Sequence, residues 1–214
     1  MKNLSQSKLA VLTVLIILFL DQALKIWIKT HMFLGQEINI FGNWFIIHFT
    51  ENNGMAFGYE FAGNFGKIFL SLFRIFAVAL IAWYLHKLIK SKAPTIVIIS
   101  ISLIFAGAIG NIIDSAFYGI IFNESNYQIA SLFPEGGGYS SFLHGRVVDM
   151  LYFPIISGHF PDWFPLWGSQ EFIFFRPIFN IADSSITIGV FTIILFQKNF
   201  FKDYTKNSVS EKSE

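Results

Sequence analysis

Four carboxylates carry whatever chemistry this chain does: Asp21, Asp114, Asp149 and Asp183, each set in or beside apolar sequence. Asp183 is the extreme case. It stands in FNIADSSITIG, Phe179 to Gly189, and is the only ionisable residue between Pro177 and Phe196. An acid inside a lipid-crossing run costs about 2.5 to 3.5 kcal/mol on insertion scales, so it marks a functional site with a partner to be found. Asn180 three residues earlier and Thr187 four residues later fall on its face if the segment is helical. In GAIGNIIDS, Asn111 stands three before Asp114, and Gly107 and Gly110 let a neighbouring helix approach closely. Asp149 lies in GRVVDMLYF, where Val147, Val148, Met150 and Leu151 make its surroundings apolar enough to dip into the interface. Taken singly, Asp21 with Lys25 four residues on reads as a span-end ion pair and Asp149 as an interfacial loop acid. Asp114 reads equally as an anchor for the outer loop or as a functional acid, and no one of the four names a reaction.

The elements that must hold these acids are membrane spans. Of 214 residues, 54% are hydrophobic and 14% charged, with mean hydropathy +0.56 and 27 phenylalanines. That is a membrane composition. Four apolar stretches reach about 20 residues, the length that crosses a bilayer: Leu9 to Ile28, Ile68 to Ile89, Ile96 to Ile113, and Pro177 to Phe196. The first runs on through Asp21 and Gln22 without a small-residue cleavage site, which predicts a retained span rather than a cleaved leader. Lys2 and Lys8, then Lys87, Lys90 and Lys92, then Lys198, Lys202, Lys206 and Lys212 all fall on one side if the spans alternate. The positive-inside rule puts both termini and the 87–95 connection in the cytoplasm. The longer connections, about 30–66 and 115–176, then face outward, and the polar tail from about 200 to 214 is expected to fray in the cytoplasm. On this topology Asp21 and Asp114 lie toward outer span ends and Asp183 about 9 Å into an inward-running span. All four acids collect at one outer level.

The outer connections add a small β element. EINIFGNWFIIHFTENNGMAFG has β-favouring runs about Gly42 and Asn43 as a turn. Within it, ENNGMAFG is either a surface loop or a cradle for an extended peptide. Trp163, Phe164 and Trp167 form an interfacial aromatic belt. Other chemistries find little footing. The histidines lack metal-ligand spacing, and no Ser/His/Asp order, phosphate loop or H-E-x-x-H occurs. With no cysteine there is no thiolate or disulfide chemistry. A net charge of +1 without a basic block gives no nucleic-acid partner. The N-I-x-D echo between spans three and four is too short to mark an inverted-repeat transporter.

Taken in order, DQALK, ENNGMAFG, GAIGNIID, GRVVDM and FNIADSSITIG resemble the lipoprotein signal peptidases, also called signal peptidase II, across nearly the whole chain. The resemblance implies an all-α membrane protein with a small β element: a four-transmembrane-helix bundle with an outer-face β-sheet cradle and an interfacial helix. Residues 1–214 would form one integral membrane peptidase domain, a monomer in the bacterial cytoplasmic (inner) membrane, multi-pass, with both termini cytoplasmic and the active site toward the outer face. Asp149 and Asp183 match the catalytic acids, while Asp21, Asn53, Asn111, Asp114 and Asn180 match site-supporting positions. The implied partners are membrane lipid and diacylglyceryl-modified prolipoproteins, cut just before the lipidated cysteine, with no metal or other cofactor. Two close carboxylates cannot both ionise readily, so the pair keeps one proton, one acid activates water, and a tetrahedral diol collapses to release the new amino terminus. The chain departs from the family where Ser115 follows Asp114 in place of arginine, so Arg146 or Arg176 is expected to supply the cation. The segments on either side of Asp149 are also longer than the family's. The competing readings are a proton- or cation-coupled transporter and a noncatalytic scaffold; against transport, the inner half of the bilayer offers no polar relay.

Overall fold

In lipid, every backbone polar group has to find its partner within the protein, so apolar runs of span length fold as helices. The computed structural model describes residues 4–53, 63–174 and 176–210. Helices α1 (Gln6–His31), α2 (Gly63–Lys90) and α3 (Thr95–Ile113) follow three of the four expected spans. Among the described residues, three helical stretches are long and apolar enough to cross a membrane: Gln6–His31, Ile68–Lys90 and Thr95–Ile121. Their outward-facing residues include Leu15, Phe19, Phe69, Phe73, Phe76 and Trp83, all exposed. The protein is membrane-embedded, with its large apolar side chains on the outside where lipid replaces water. The fourth stretch differs from expectation. Pro177 has no N–H to donate, and Ile178–Phe179 form a short strand paired to a neighbour. Helix α5 (Ile181–Ser210) therefore starts only after Asn180, and its apolar part, Ile181–Phe196, is shorter than the other three.

The chain divides into two compact units. The first comprises residues 1–22, 68–113 and 181–214. Its core gathers Ala10 of α1, Leu85 and Leu88 of α2, Ala93, and Val97, Ile98 and Ile101 of α3, with Ile104 and Ile193 against them. Helices α3 and α5 make the closest approach. A Cβ at Gly107 would collide with the Ala182 carbonyl and stand 2.6 Å from Ser185 Oγ and 2.7 Å from Ile186 Cγ1. One at Gly110 would stand 2.7 Å from Asp21 Oδ2. The small residues read from the sequence do admit a neighbouring helix, and that helix is α5. Without a hydrophobic drive between helices in lipid, such close packing is what holds them together.

The second unit comprises residues 23–67 and 114–180. Strands β1 (Glu37–Phe41) and β2 (Phe45–Asn52) form the expected hairpin, with Gly42 at φ +52° in the turn. Two more strands, β3 (Val147–Tyr152) and β6 (Ile178–Phe179), complete an antiparallel sheet ordered β1-β2-β3-β6. The register slips by one residue between Ile47 and Thr50 of β2, just before Thr50 meets Asp149. Such bulges bend a strand and re-aim its side chains. Between β3 and β6 the chain makes a separate hairpin of β4 (Ile156–His159) and β5 (Glu171–Phe174). Its tip stacks Phe160, Phe164 and Trp167 and exposes Trp163, so the aromatic belt is a hairpin end. Helix α3 continues through a π-helical segment, Asp114–Tyr118, into one α turn, α4 (Gly119–Ile121). Among the described residues no interfacial helix stands apart from these elements; most of ENNGMAFG, from Gly54 on, lies outside the described residues.

Close α3–α5 contact predicts that Gly107→Ala lowers the thermal unfolding midpoint in detergent, by about 1 to 3 kcal/mol of overpacking. Gly136, with nothing within 4 Å of an added Cβ, should tolerate alanine.

Candidate active site

Asp149 sits in the middle of β3, 4% exposed, and not in a loop as its sequence neighbourhood suggested. The apolar residues around it are the buried faces of a strand: Val147, Val148 and Met150 are all buried. Asn180, wholly buried, donates from Nδ2 to Asp149 Oδ1 at 2.7 Å and to the Val148 carbonyl at 3.3 Å. Its position explains the aim. Asn180 lies between β6 and α5 rather than on the helical face it was expected to share with Asp183, and β6 pairs with β3 through Leu151↔Phe179 and Tyr152↔Ile178.

Asp183 falls in the first turn of α5. Because the helix begins at Ile181, this acid is two residues from the helix start, not about 9 Å in. The partial positive charge of a helix N-terminus favours a carboxylate there. Asn111 of α3 donates from Nδ2 to Asp183 Oδ1 at 2.8 Å. In the same unit Asp21, 1% exposed, accepts the Ala182 backbone N–H at 2.9 Å and the Gln22 amide at 3.1 Å. It thereby satisfies one of the orphan donors that open a helix. Thr187 returns its hydroxyl to the Asp183 carbonyl at 2.8 Å.

In the second unit Asp114 is fully buried and forms an ion pair with Lys25, Oδ2 to Nζ at 2.8 Å, with both side chains inaccessible. The same oxygen accepts the Val148 N–H at 3.2 Å, which ties Asp114 to the residue beside Asp149. Lys25 thus supplies a cation at Asp114. Arg146 instead pairs with Glu51 and Glu124, and Arg176 is exposed between β5 and β6. Asn53 is the last described residue before 63 in the connection between α1 and α2. The two acids expected to be catalytic belong to different units, Asp149 to the second and Asp183 to the first.

Sequence reasoning passed over several charged groups. Arg74, half-buried on α2, is the only charged residue between Ile68 and Leu85, so the criterion that singled out Asp183 would have found it. Lys29, inaccessible to solvent, is one turn beyond Lys25 and pairs with the buried Glu51 at 2.6 Å. Glu124 carried no local signal, because its partner Arg146 is 22 residues away. The Arg146 hydrogen bonds hold the Glu124 carboxyl below its ordinary 4.5, against a smaller opposing effect of burial. Burial keeps the Tyr139 phenol well above its ordinary 10.0 and hence protonated.

Acids held by asparagine amides, Asp149 buried and Asp183 half-buried, on apolar helices and a small antiparallel sheet, are features of a membrane-embedded enzyme. Two solved structures, both described as a bacterial membrane enzyme structure by the in meso method, superpose at TM-scores of 0.58 and 0.56. They are 26% and 27% identical to this chain, cover 90% and 88% of it, and are themselves covered to 89% and 91%. The family described as Signal peptidase (SPase) II matches residues 13–199. A protein named lipoprotein signal peptidase from Porphyromonas gingivalis is 52% identical over 196 residues, 91% of this chain and 85% of its own. Another of that name from Amoebophilus asiaticus is 39% identical, over 85% of this chain and 74% of its own. The chain belongs to the signal peptidase II family.

Removing one member of a buried ion pair strands the other charge, typically at about 3 to 5 kcal/mol. Lys25→Met should therefore lower the unfolding midpoint strongly, and adding Asp114→Asn should recover part of the loss in the same melting assay. At the Glu124–Arg146 pair the depressed Glu124 value sets the sign of a pH effect. Its ion pair stabilises the fold above the unfolded carboxylate's value and fades as pH falls through the lower folded one. So exposed a pair is worth at most about 1 kcal/mol, so the melting midpoints of the native chain and Glu124→Gln should differ only slightly near neutrality and converge below about pH 4.

Proposed function

We propose that this chain is the peptidase that removes signal peptides from prolipoproteins, with Asp149 and Asp183 as its catalytic pair. One observation carries the assignment of the pair. Each acid has one carboxylate oxygen taken by an asparagine amide, Asn180 on Asp149 at 2.7 Å and Asn111 on Asp183 at 2.8 Å. Asn180 and Asp183 are also only three residues apart in the chain, so the segment that reaches Asp149 leads directly into the helix carrying Asp183.

In a pair of this kind one carboxylate holds a proton and the other is ionised. The ionised acid takes a proton from a water molecule as its oxygen attacks the scissile carbonyl, while the protonated acid hydrogen-bonds that carbonyl oxygen. The resulting diol collapses as a proton passes to the amide nitrogen, and the peptide bond breaks. Fixing one oxygen of each acid leaves the direction of its other oxygen set before substrate arrives, which is how positioned groups gain rate. Asp21 and Asp114 support the site indirectly, the first through the start of α5 and the second through Lys25 and the β3 backbone. Asn53 is suited to hydrogen-bond an extended substrate.

The finer reading is a monomer acting as one domain in the inner membrane of a bacterium, four-spanning, with both termini cytoplasmic and the sheet cradling substrate at the outer face. The substrate carries a diacylglyceryl group on its cysteine, and cleavage falls just before that residue. The lipid tether would hold the scissile bond near the headgroups. The family match supports peptide cleavage, and no observation favours transport.

Asp149→Asn and Asp183→Asn should each abolish cleavage of a diacylated precursor peptide by the purified protein, read by mass spectrometry, while the variants still accumulate in membranes. Substantial cleavage by either variant removes that acid from the pair. Asn180→Ala and Asn111→Ala should retain folding and lose about 10- to 100-fold in rate, the worth of one hydrogen bond to a charged group.

A further inference from the structure

The two ends of the stretch between Ser115 and Gly145 meet, and its middle is tied to the end of α1 and the residues after it, Ala130 N–H to the Lys29 carbonyl at 3.1 Å and Leu34 N–H to the Ser125 carbonyl at 3.0 Å. Gly145 donates its N–H to the Ser115 carbonyl at 2.8 Å. A side chain at Gly145 would run into the Asp114 carbonyl and stand 3.0 Å from Gly119 N, so this neck closes only with glycine there. From inside the excursion Glu124 reaches Arg146 in a two-pronged contact, Nη1 to Oε2 at 2.8 Å and Nη2 to Oε1 at 3.0 Å. Arg146 Nη1 also donates to Glu51 Oε2 at 2.9 Å. The other oxygen of Glu51 is held by Lys29, which donates as well to Ser125 Oγ at 2.8 Å. Tyr139 lies between the two cations, its ring centre 5.0 Å from Lys29 Nζ and 4.8 Å from the Arg146 guanidinium carbon. Its hydroxyl accepts the Arg146 backbone N–H at 2.7 Å. Two cations and two carboxylates leave the cluster neutral.

This cluster stands one step from the reacting strand. Glu51 faces Val148 across the β2–β3 ladder, and its neighbour Thr50 faces Asp149. Arg146 enters β3 three residues before Asp149. We propose that Arg146 and Glu124 are positioning residues for the peptidase reaction: their pairing latches the 116–144 excursion to the β2–β3 ladder and thereby fixes where Asp149 sits. The inference rests on Asp149 being catalytic. Magnitudes separate this role from a purely structural one. The Arg146 and Glu124 side chains are 28% and 39% exposed, and ion pairs so open to water add little to stability. A displacement of about 1 Å at a catalytic group, however, costs about a hundredfold in rate. The forked guanidinium–carboxylate contact admits one geometry, which lysine cannot reproduce.

The test uses the purified full-length protein and a diacylated precursor peptide, with kcat and KM measured separately beside a melting curve. Arg146→Lys and Glu124→Gln are expected to lower kcat about tenfold or more, with KM and the melting midpoint nearly unchanged. The chain has no cysteine, so the latch can be rebuilt covalently. Glu124→Cys with Arg146→Cys should lose kcat and regain it when the two thiols are joined by a short bis-maleimide. Unchanged kcat in Arg146→Lys and Glu124→Gln, or a joined double variant that stays slow, would overturn the proposal. Asp149→Asn is run in parallel: an active Asp149→Asn removes the catalytic reading itself, whereas an inactive one beside fully active latch variants removes only the latch.

Discussion

A carboxylate cut off from water has to be solvated by the protein, and the arrangement of this molecule follows from that requirement. The donors to the four acids include a backbone amide, an ammonium group and asparagine side chains. Asp21 takes the backbone N–H of Ala182, Asp114 takes an ammonium group and a strand N–H, and Asp149 and Asp183 each take an asparagine amide. Charge compensation and amide donation are not equivalent. An ammonium group neutralises its partner and holds it in place, which suits a structural post. An amide orients a carboxylate oxygen without cancelling its charge, and that leaves the acid able to exchange a proton.

The two units meet this requirement with different backbones. Helices α3 and α5 bring Asn111 to Asp183 because glycine at position 107 removes the side chain that would otherwise separate them. The sheet brings Asn180 to Asp149 because β6 adds to β3 over two residue pairs and ends where Asn180 begins. That short strand also limits how early α5 can start. A helix from Pro177 would have carried Asn180 out of the sheet, so the shortened fourth apolar segment is a condition for the contact.

Much of this was legible in the residues. Apolar runs of span length gave three helices near their expected limits and Gly42 and Asn43 marked the β1–β2 turn, while Asp183, expected about 9 Å inside a span, falls in the first turn of α5. Other features depended on partners far away in the chain. The sequence VVDM reads as an interfacial loop until β2 and β6 flank it, since burial on both sides of a strand leaves no alternation to detect. Asn180 looked helical because its spacing from Asp183 is three, yet its side chain answers to β3. Lys25 forms an ion pair with Asp114, 89 positions further along the chain, a contact that the i+4 rule pointing it to Asp21 does not reveal. Local periodicity cannot report contacts of that range.

The hairpin of β4 and β5 departs from the sheet after β3 and rejoins it at β6, two strands already paired at their ends. Its base is therefore closed by the ladder and not by the hairpin itself. The entropy of closing such a loop grows by only about 0.6 kcal/mol for each doubling of its length. Lengthening the chain within the hairpin therefore leaves β3 and β6 paired and Asn180 in reach of Asp149.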